Sequence, residues 1–209
     1  MRKLIARLLA DSSETMSKVL VGGLFLALAW RLGSDYMETK RATDLLLLVG
    51  EGLVVVLTCL RRRAQIVDRR MVVRLVTTTS MMLPMLVKPA HGGTLIAETT
   101  AAWLVVVGLV IVVGGKISLG RSFGLLPANR GVSQRGLYRI VRHPIYLGYL
   151  MTHIPFLAAH PSGWNAACLL IGDCALIVRA LYEEQTLGRD PQYVQYCQTV
   201  KWRIVPGLC

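Results

Sequence analysis

The 209-residue chain is 54% hydrophobic and only 17% charged, whereas soluble domains carry roughly 25% charged residues. Its apolar residues form long runs instead of the amphipathic spacing of soluble helices. About 20 mostly apolar residues span a bilayer, and six segments come close to this length. The sequence therefore predicts an all-α, polytopic membrane protein with about six transmembrane helices, at residues 17–34, 44–60, 71–88, 95–115, 144–160 and 163–182.

The basic residues predict the orientation of these spans. The 24 Lys and Arg residues give a formal net charge of +12, and 19 of them fall on one side of the membrane if the N-terminus is cytoplasmic. Because Lys and Arg concentrate in cytoplasmic loops, we expect a multi-pass protein with both termini cytoplasmic. The charge also favours contact with anionic membrane lipids. No nucleic-acid partner is predicted, because no soluble module is present to bind one.

The chain divides into two regions of different polarity. Residues 1–115 hold the first four spans and are interpreted as a scaffold on the lipid and substrate side. Residues 116–209 hold a polar loop of about 28 residues, the last hairpin and a C-terminal cytoplasmic helix. The loop is expected to contain a short interfacial helix, and the C-terminal helix is expected to continue through Val200 and Trp202 to Pro206.

Two charged residues lie inside the predicted spans of the scaffold. Glu51 falls in the second span and Arg74 in the third. A lone charge within a span usually faces the bundle interior and finds a partner. The sequence is compatible with a Glu51–Arg74 pair, and equally with a contact between Glu51 and a ligand.

Residues 136–148 form the densest polar segment, Gly-Leu-Tyr-Arg-Ile-Val-Arg-His-Pro-Ile-Tyr-Leu-Gly. Ionisable groups beside a membrane span lose solvation and are typically functional. Pro144 predicts the start of a helix, and it restricts the backbone of His143, so that the imidazole and the first helix amides face one pocket. Alternatively, His143 caps the helix, and Arg139 and Arg142 serve only as cytoplasmic charges.

A second polar cluster follows one span later. Arg179 and Glu183 are spaced i, i+4 and share a helix face, whereas Glu184 points about 100° away. The two clusters flank one hairpin and predict a single site at the cytoplasmic membrane boundary. Alternatively, Arg179 and Glu183 form only an ion pair, and the tyrosines that follow are interfacial anchors. The tyrosines in question are Tyr193 and Tyr196. In span five, His153 and His160 are interpreted as structural residues.

These residues resemble the isoprenylcysteine carboxyl methyltransferase family of integral membrane methyltransferases. The shared patterns are Gly-x-Tyr-x-x-Val-Arg-His-Pro-x-Tyr-x-Gly at 136–148 and Arg-x-x-x-Glu-Glu-x-x-Leu at 179–187. A third pattern, Tyr-x-x-Tyr-x-x-x-Val-x-x-x-Ile-x-Pro-Gly, occupies 193–207. The three motifs occur in the family's order, and the resemblance covers roughly residues 116–209.

The resemblance implies S-adenosylmethionine as the methyl donor, bound on the cytoplasmic side without a Rossmann fold. The chain contains no Gly-x-Gly-x-x-Gly unit, the usual dinucleotide fingerprint, and no metal is expected. Arg179 matches the family arginine that approaches the methyl acceptor, and Glu183 matches one of an acidic pair that holds cofactor and substrate, so these two are the catalytic candidates. The cofactor-binding candidates are Tyr138, His143, Pro144, Tyr146, Leu147, Gly148, Glu183 and Glu184.

The residue chemistry is compatible with methyl transfer. Aromatic faces attract a sulfonium cation, and carboxylates accept hydrogen bonds from an amine or from ribose hydroxyls. A carboxylate acceptor needs no base and could be oriented by Arg179, whereas a thiol or amine would use His143 or Glu183 as a base. We expect a lipophilic small-molecule acceptor, such as a prenylated or isoprenoid compound, that enters from the bilayer.

Three other functions fit parts of the same pattern. The ending at residues 196–207 is similar to that of sterol reductases, which share the Arg-His-Pro-x-Tyr-x-Gly motif and use NADPH. A phospholipid N-methyltransferase would also use S-adenosylmethionine in a small helical membrane protein. A non-enzymatic scaffold could retain the motif. Cofactor binding separates these alternatives, and the sequence does not predict an oligomeric state.

Overall fold

The computed structural model is mainly helical. It describes residues 42–62, 64, 66–68, 70–88, 94–124 and 126–208, together with scattered positions between 19 and 37. The helices are α1 (Ala42–Leu60), α2 (Met71–Met82), α3 (Glu98–Leu119), α4 (Pro144–Ala159), α5 (Gly163–Leu187) and α6 (Pro191–Thr199). Single 3-10 turns cover Leu83–Leu86, Gly120–Ser122 and Gly136–Arg139. The predicted helical class is thus confirmed, and α1 to α5 coincide with predicted spans two to six.

Two of the described helical segments are long and apolar enough to cross a membrane. They are Glu98–Ser122 and Gly163–Leu187, each of 25 residues. Their outer faces are apolar and open, with Trp103 72% and Leu170 62% exposed. The apolar segment Met71–Leu86 is shorter, and its last four residues form a 3-10 turn that begins just before Pro84.

Glycines determine which helices pack closely. A Cβ atom built on Gly148 in α4 would lie 2.8 Å from both the Gly108 carbonyl oxygen and the Val112 nitrogen of α3. A Cβ on Gly172 in α5 would lie 3.1 Å from the Pro84 ring. Small residues allow such close backbone approach between membrane helices. As a result, α4 packs chiefly on α3, and α5 packs chiefly on α2.

The C-terminal helix is shorter than the sequence predicts. Helix α6 ends at Thr199, and Val200 is already extended, with φ −109° and ψ 96°. The chain turns back because the N–H groups of Arg142 and His143 donate to the carbonyls of Trp202 and Arg203, at 2.9 and 2.8 Å. We call residues 200–208 the C-terminal strap.

A short antiparallel pairing in the polar loop was not predicted. Strands β1 (Ile66–Val67) and β2 (Ala128–Asn129) pair with Ile66 opposite Asn129. This pairing ties the loop after α3 to the segment between α1 and α2. The predicted boundary between residues 115 and 116 falls within the last turn of α3. Of the first predicted span, only scattered positions are described. The side chain of Glu51 lies outside the described residues, so a Glu51–Arg74 pair stays a prediction.

We expect Gly148→Ala to destabilise the protein by about 1–3 kcal/mol, because overpacking a tight contact has that cost. The measurement is the thermal unfolding midpoint of the detergent-purified protein. Gly163→Ala is the matched control, since a Cβ there meets no atom within 4 Å. Equal midpoints for the two variants would show that the α3–α4 contact tolerates a side chain.

Candidate functional site

His143 begins the site at the start of α4. Pro144 occupies the first helical turn, and His143 is the N-cap residue, but its side chain makes no capping hydrogen bond. The imidazole is buried, 6% exposed, and it stacks on the Tyr146 ring with centroids 5.2 Å apart and planes 6° apart. The ring nitrogens of His143 are therefore directed at the end of α5.

Glu183 is held by three side chains. Its Oε1 accepts a hydrogen bond of 2.6 Å from the Tyr146 hydroxyl and forms an ion pair of 3.3 Å with Arg179 Nε. Its Oε2 lies 3.7 Å from His143 Nδ1. The Arg179 guanidinium also lies over the Tyr146 ring, 5.4 Å from its centroid. The predicted i, i+4 pair is thus present, and it is part of a larger cluster.

Glu184 points to a different side of α5 from Glu183 and binds the C-terminal strap. Its Oε1 accepts from Arg142 Nη1 at 2.9 Å and lies 3.3 Å from His143 Nε2. Its Oε2 accepts from Arg203 Nε at 3.1 Å. Arg142 also donates to the Lys201 carbonyl at 2.6 Å. Arg142 therefore bridges α5 and the strap.

Buried tyrosines close the polar end of the site. The Tyr196 hydroxyl donates to the Tyr138 carbonyl at 2.6 Å, and the Tyr193 and Tyr196 rings lie 5.7 Å apart. Burial raises the pKa of all three phenols above the ordinary value, so they stay neutral at physiological pH. The three residues lie in the wall of the site, not on an outer surface as interfacial anchors would.

The polar loop is fixed to the site by two further contacts. Asn129 Nδ2 donates to Asp190 Oδ2 at 2.8 Å, and Asp190 caps α6 by accepting from the Gln192 amide. A Cβ on Gly124 would overlap the Arg130 guanidinium. The absence of a side chain at Gly124 therefore makes room for Arg130 beside the site.

One cavity of about 410 Å³ connects this polar cluster to the interior of the helix bundle. This volume lies within the range of small-molecule sites, about 300–1,000 Å³. Its polar end is lined by Tyr138, Arg142, His143, Tyr146, Arg179, Glu183, Tyr193 and Tyr196. Its other end is apolar and lined by residues of α2 to α5, among them Met81, Met85, Val105, Leu109, Phe156 and Leu169.

The structure separates the predicted site residues into two groups. Tyr138, His143, Tyr146, Arg179 and Glu183 come together on the cavity wall. The other four predicted residues have different surroundings. Gly148 faces α3, and Glu184 holds the strap; Pro144 is fully buried, and Leu147 is half-buried. Their contact with a cofactor stays a prediction.

Several cavity residues were not predicted from the sequence. Phe123 and Arg130 come from the polar loop, and Tyr149 and His153 continue the face of α4 that begins at Tyr146. The spacing of positions 146, 149 and 153 is that of one helix face, and this periodicity could have identified the last two. His153 also pairs with Asp173 at 2.7 Å, so it is not an isolated structural histidine.

We expect Glu184→Gln to speed tryptic cleavage after Lys201 and Arg203 about tenfold. The neutral amide cannot pair with two guanidinium groups, and a loss of about 1.4 kcal/mol in local stability raises the open population tenfold. Glu98→Gln is the control, because that glutamate is exposed in the first turn of α3. Equal cleavage rates in the two variants would show that the strap is held without the Glu184 carboxylate.

Comparison with known proteins identifies the family of this chain. A family described as protein of unknown function, DUF1295, matches residues 65–200. No curated protein matches the chain. The matched range includes α2 to α6, the paired strands and both glutamates of the site. Because the match covers more than half of the chain, this protein belongs to the DUF1295 family.

Proposed function

We propose that this protein is an integral membrane methyltransferase that uses S-adenosylmethionine and methylates a lipophilic acceptor at the cytoplasmic face. The observation that carries the proposal is the single cavity that runs from a charged, aromatic end into an apolar chamber. A polar cofactor and a hydrophobic acceptor could meet in such a cavity. The motif resemblance to isoprenylcysteine carboxyl methyltransferases supports the same proposal.

The polar end has groups that fit this cofactor. Tyr138, Tyr146 and Tyr193 line it, and aromatic faces attract a sulfonium cation. A carboxylate can accept about four hydrogen bonds, and among the described residues Glu183 Oε2 has only its 3.7 Å contact with His143. That oxygen could accept from the cofactor's amine or ribose. Bound there, the cofactor would supply an electrophilic methyl group on sulfur.

The arrangement suits a reaction that depends on positioning. If the acceptor is a carboxylate, one of its oxygens forms the new bond to carbon while the carbon–sulfur bond breaks, and the electron pair stays on sulfur. No proton moves in this step. Arg179 could orient the carboxylate, and burial of its guanidinium would strengthen the contact. A thiol or amine acceptor would lose a proton, for which His143 and Glu183 are the nearest bases.

The membrane arrangement is part of the proposal. We propose six spans with both termini cytoplasmic, so that the polar ends of α4 and α5 lie at the cytoplasmic boundary. The exposed apolar faces of α3 and α5 support contact with lipid. The acceptor would then reach the apolar chamber sideways from the bilayer.

An NADPH-dependent ene-reductase is the second candidate. The strap residues Arg203 to Gly207 and the Arg-His-Pro motif are similar to those of sterol reductases, and an apolar chamber would suit a sterol-like substrate. A phospholipid N-methyltransferase would differ from the first proposal only in its acceptor. The cofactor distinguishes the reductase from both.

We expect S-adenosylhomocysteine to bind the detergent-purified protein at micromolar concentration, measured by calorimetric titration, and NADPH to give no heat. His143→Ala and Glu183→Ala should each weaken binding tenfold or more, about 1.4 kcal/mol, because each removes a side chain that lines the polar end of the cavity. Glu98→Ala, far from the cavity lining, should bind normally. Binding of NADPH alone would replace the proposal with the reductase.

We expect Arg179→Ala to reduce transfer of labelled methyl into a membrane lipid extract at least tenfold, with a smaller effect on S-adenosylhomocysteine affinity. The proposed partner of Arg179 is the acceptor, not the cofactor. Arg179→Lys should recover little activity, since lysine lacks the planar, bidentate fork. If Arg179→Ala lowered only the unfolding midpoint and left turnover intact, Arg179 would be a structural ion-pair residue.

A further inference from the structure

A second pair of ionisable side chains lies beside the cavity, away from the glutamates, and one of the two, His153, lines its wall. His153 Nδ1 on α4 is 2.7 Å from Asp173 Oδ1 on α5, and the side chains are 16% and 18% exposed. His153 lines the apolar half of the cavity together with Phe156 and Leu169. Ionisable groups at such depth cost solvation energy and mark functional positions in membrane proteins.

Both helices place this pair at the same distance from the polar end. His153 follows Tyr146 by seven residues on one face of α4, which corresponds to about 10 Å along the axis. Asp173 precedes Arg179 by six residues on α5, which corresponds to about 9 Å. Tyr149 lies between Tyr146 and His153 along α4. Its ring stacks on His153, with centroids 6.2 Å apart and planes 12° apart. The cavity thus has two polar positions separated by an apolar stretch.

The contact with Asp173 determines what His153 can bind. A carboxylate accepts a hydrogen bond from the Nδ1–H group of the ring. In the neutral imidazole, Nε2 then carries the lone pair. Carboxylates orient histidine ligands of metals in the same way. A nitrogen of that kind accepts a hydrogen bond. The complementary ligand group within an apolar chamber is a hydroxyl, which donates a hydrogen bond and carries no charge.

We propose that His153 and Asp173 form a subsite for a hydroxyl group on the hydrocarbon part of the acceptor. The acceptor would be a hydroxylated amphiphile whose reactive head and hydroxyl are separated by roughly 10 Å of hydrocarbon. This inference rests on the proposed function, because it assigns the polar end to cofactor and reactive head. A hydrogen-bonding site discriminates strongly against analogues that lack the bonded group.

The test compares two acids that differ only in that hydroxyl. Decanoic acid and ω-hydroxydecanoic acid are titrated into the detergent-purified protein saturated with S-adenosylhomocysteine. We expect the hydroxy acid to bind at least tenfold more tightly than decanoic acid. In His153→Phe, which keeps an aromatic ring beside Tyr149, the ratio of the two affinities should fall to about one. Asp173→Asn should reduce the ratio as well.

The control is Phe156→Leu, a change in the apolar lining three residues beyond His153. It should change the affinity for both acids alike and leave their ratio intact. If the pair only held α4 to α5, His153→Phe would likewise weaken both acids equally. That result would overturn the proposal, as would a ratio near one in the unmodified protein or failure of both acids to bind.

The same titrations separate this inference from the proposed function. Binding of S-adenosylhomocysteine is measured first and reports on the cofactor site alone. A preference for the hydroxy acid without binding of S-adenosylhomocysteine would support the subsite and contradict the methyltransferase. Binding of S-adenosylhomocysteine without that preference would contradict the subsite only.

Discussion

Two consecutive carboxylates at the end of α5 impose the main constraint on this structure. Side chains of neighbouring helix residues point about 100° apart, so Glu183 and Glu184 bind different arginines and, among the described residues, share only His143. Buried charges require such partners, because desolvation is costly. Glu183 is satisfied by Tyr146 and Arg179 within the helix hairpin, whereas Glu184 is satisfied by arginines of the loop and the strap. His143 lies beside both carboxylates. Charge pairing therefore brings the start of α4, the end of α5 and the C-terminal strap to one place.

Helix packing keeps the space beside this cluster open. Helix α4 rests on α3 through Gly148, and Gly172 of α5 rests on the 3-10 turn that follows α2. The cavity lies between these two pairs, lined by residues of all four helices. Tyr146 also belongs to a buried cluster with Val112, Ile145 and Leu176, so its hydroxyl is presented to Glu183 from a packed helix. Packed helices therefore present Tyr146, Arg179 and Glu183, while the polar loop adds Phe123, Arg130 and Tyr138 to the wall.

Features that depend on short sequence separations were predictable. The start of α4 at Pro144, the Arg179–Glu183 pair and the turn of about 100° from Glu183 to Glu184 follow from proline geometry and from 3.6-residue periodicity. The strap was not predictable, because its bonds join residues 142 and 143 to residues some sixty positions away, and the sequence pattern of α6 gives no reason to stop at Thr199. The β1–β2 pairing and the His153–Asp173 contact likewise depend on how distant segments are aligned. Periodicity places His153 on the face of Tyr146, but only the tertiary fold places Asp173 opposite it.

The two halves of the cavity would contribute differently to recognition of an acceptor. Burial of hydrocarbon is worth about 0.8 kcal/mol per methylene, so the apolar chamber would supply affinity but would separate chains of similar length only a few-fold. Binding energy gained far from the reacting atoms can hold the reactive head in line with the methyl donor. Discrimination between acceptors of similar length would then come from polar contacts, since an unpaired buried polar group is costly. In this cavity such contacts are available at two depths, at Arg179 and Glu183 and again at His153, which Asp173 holds from behind the cavity wall. The spacing between these depths, and not the volume of the chamber, would select the acceptor.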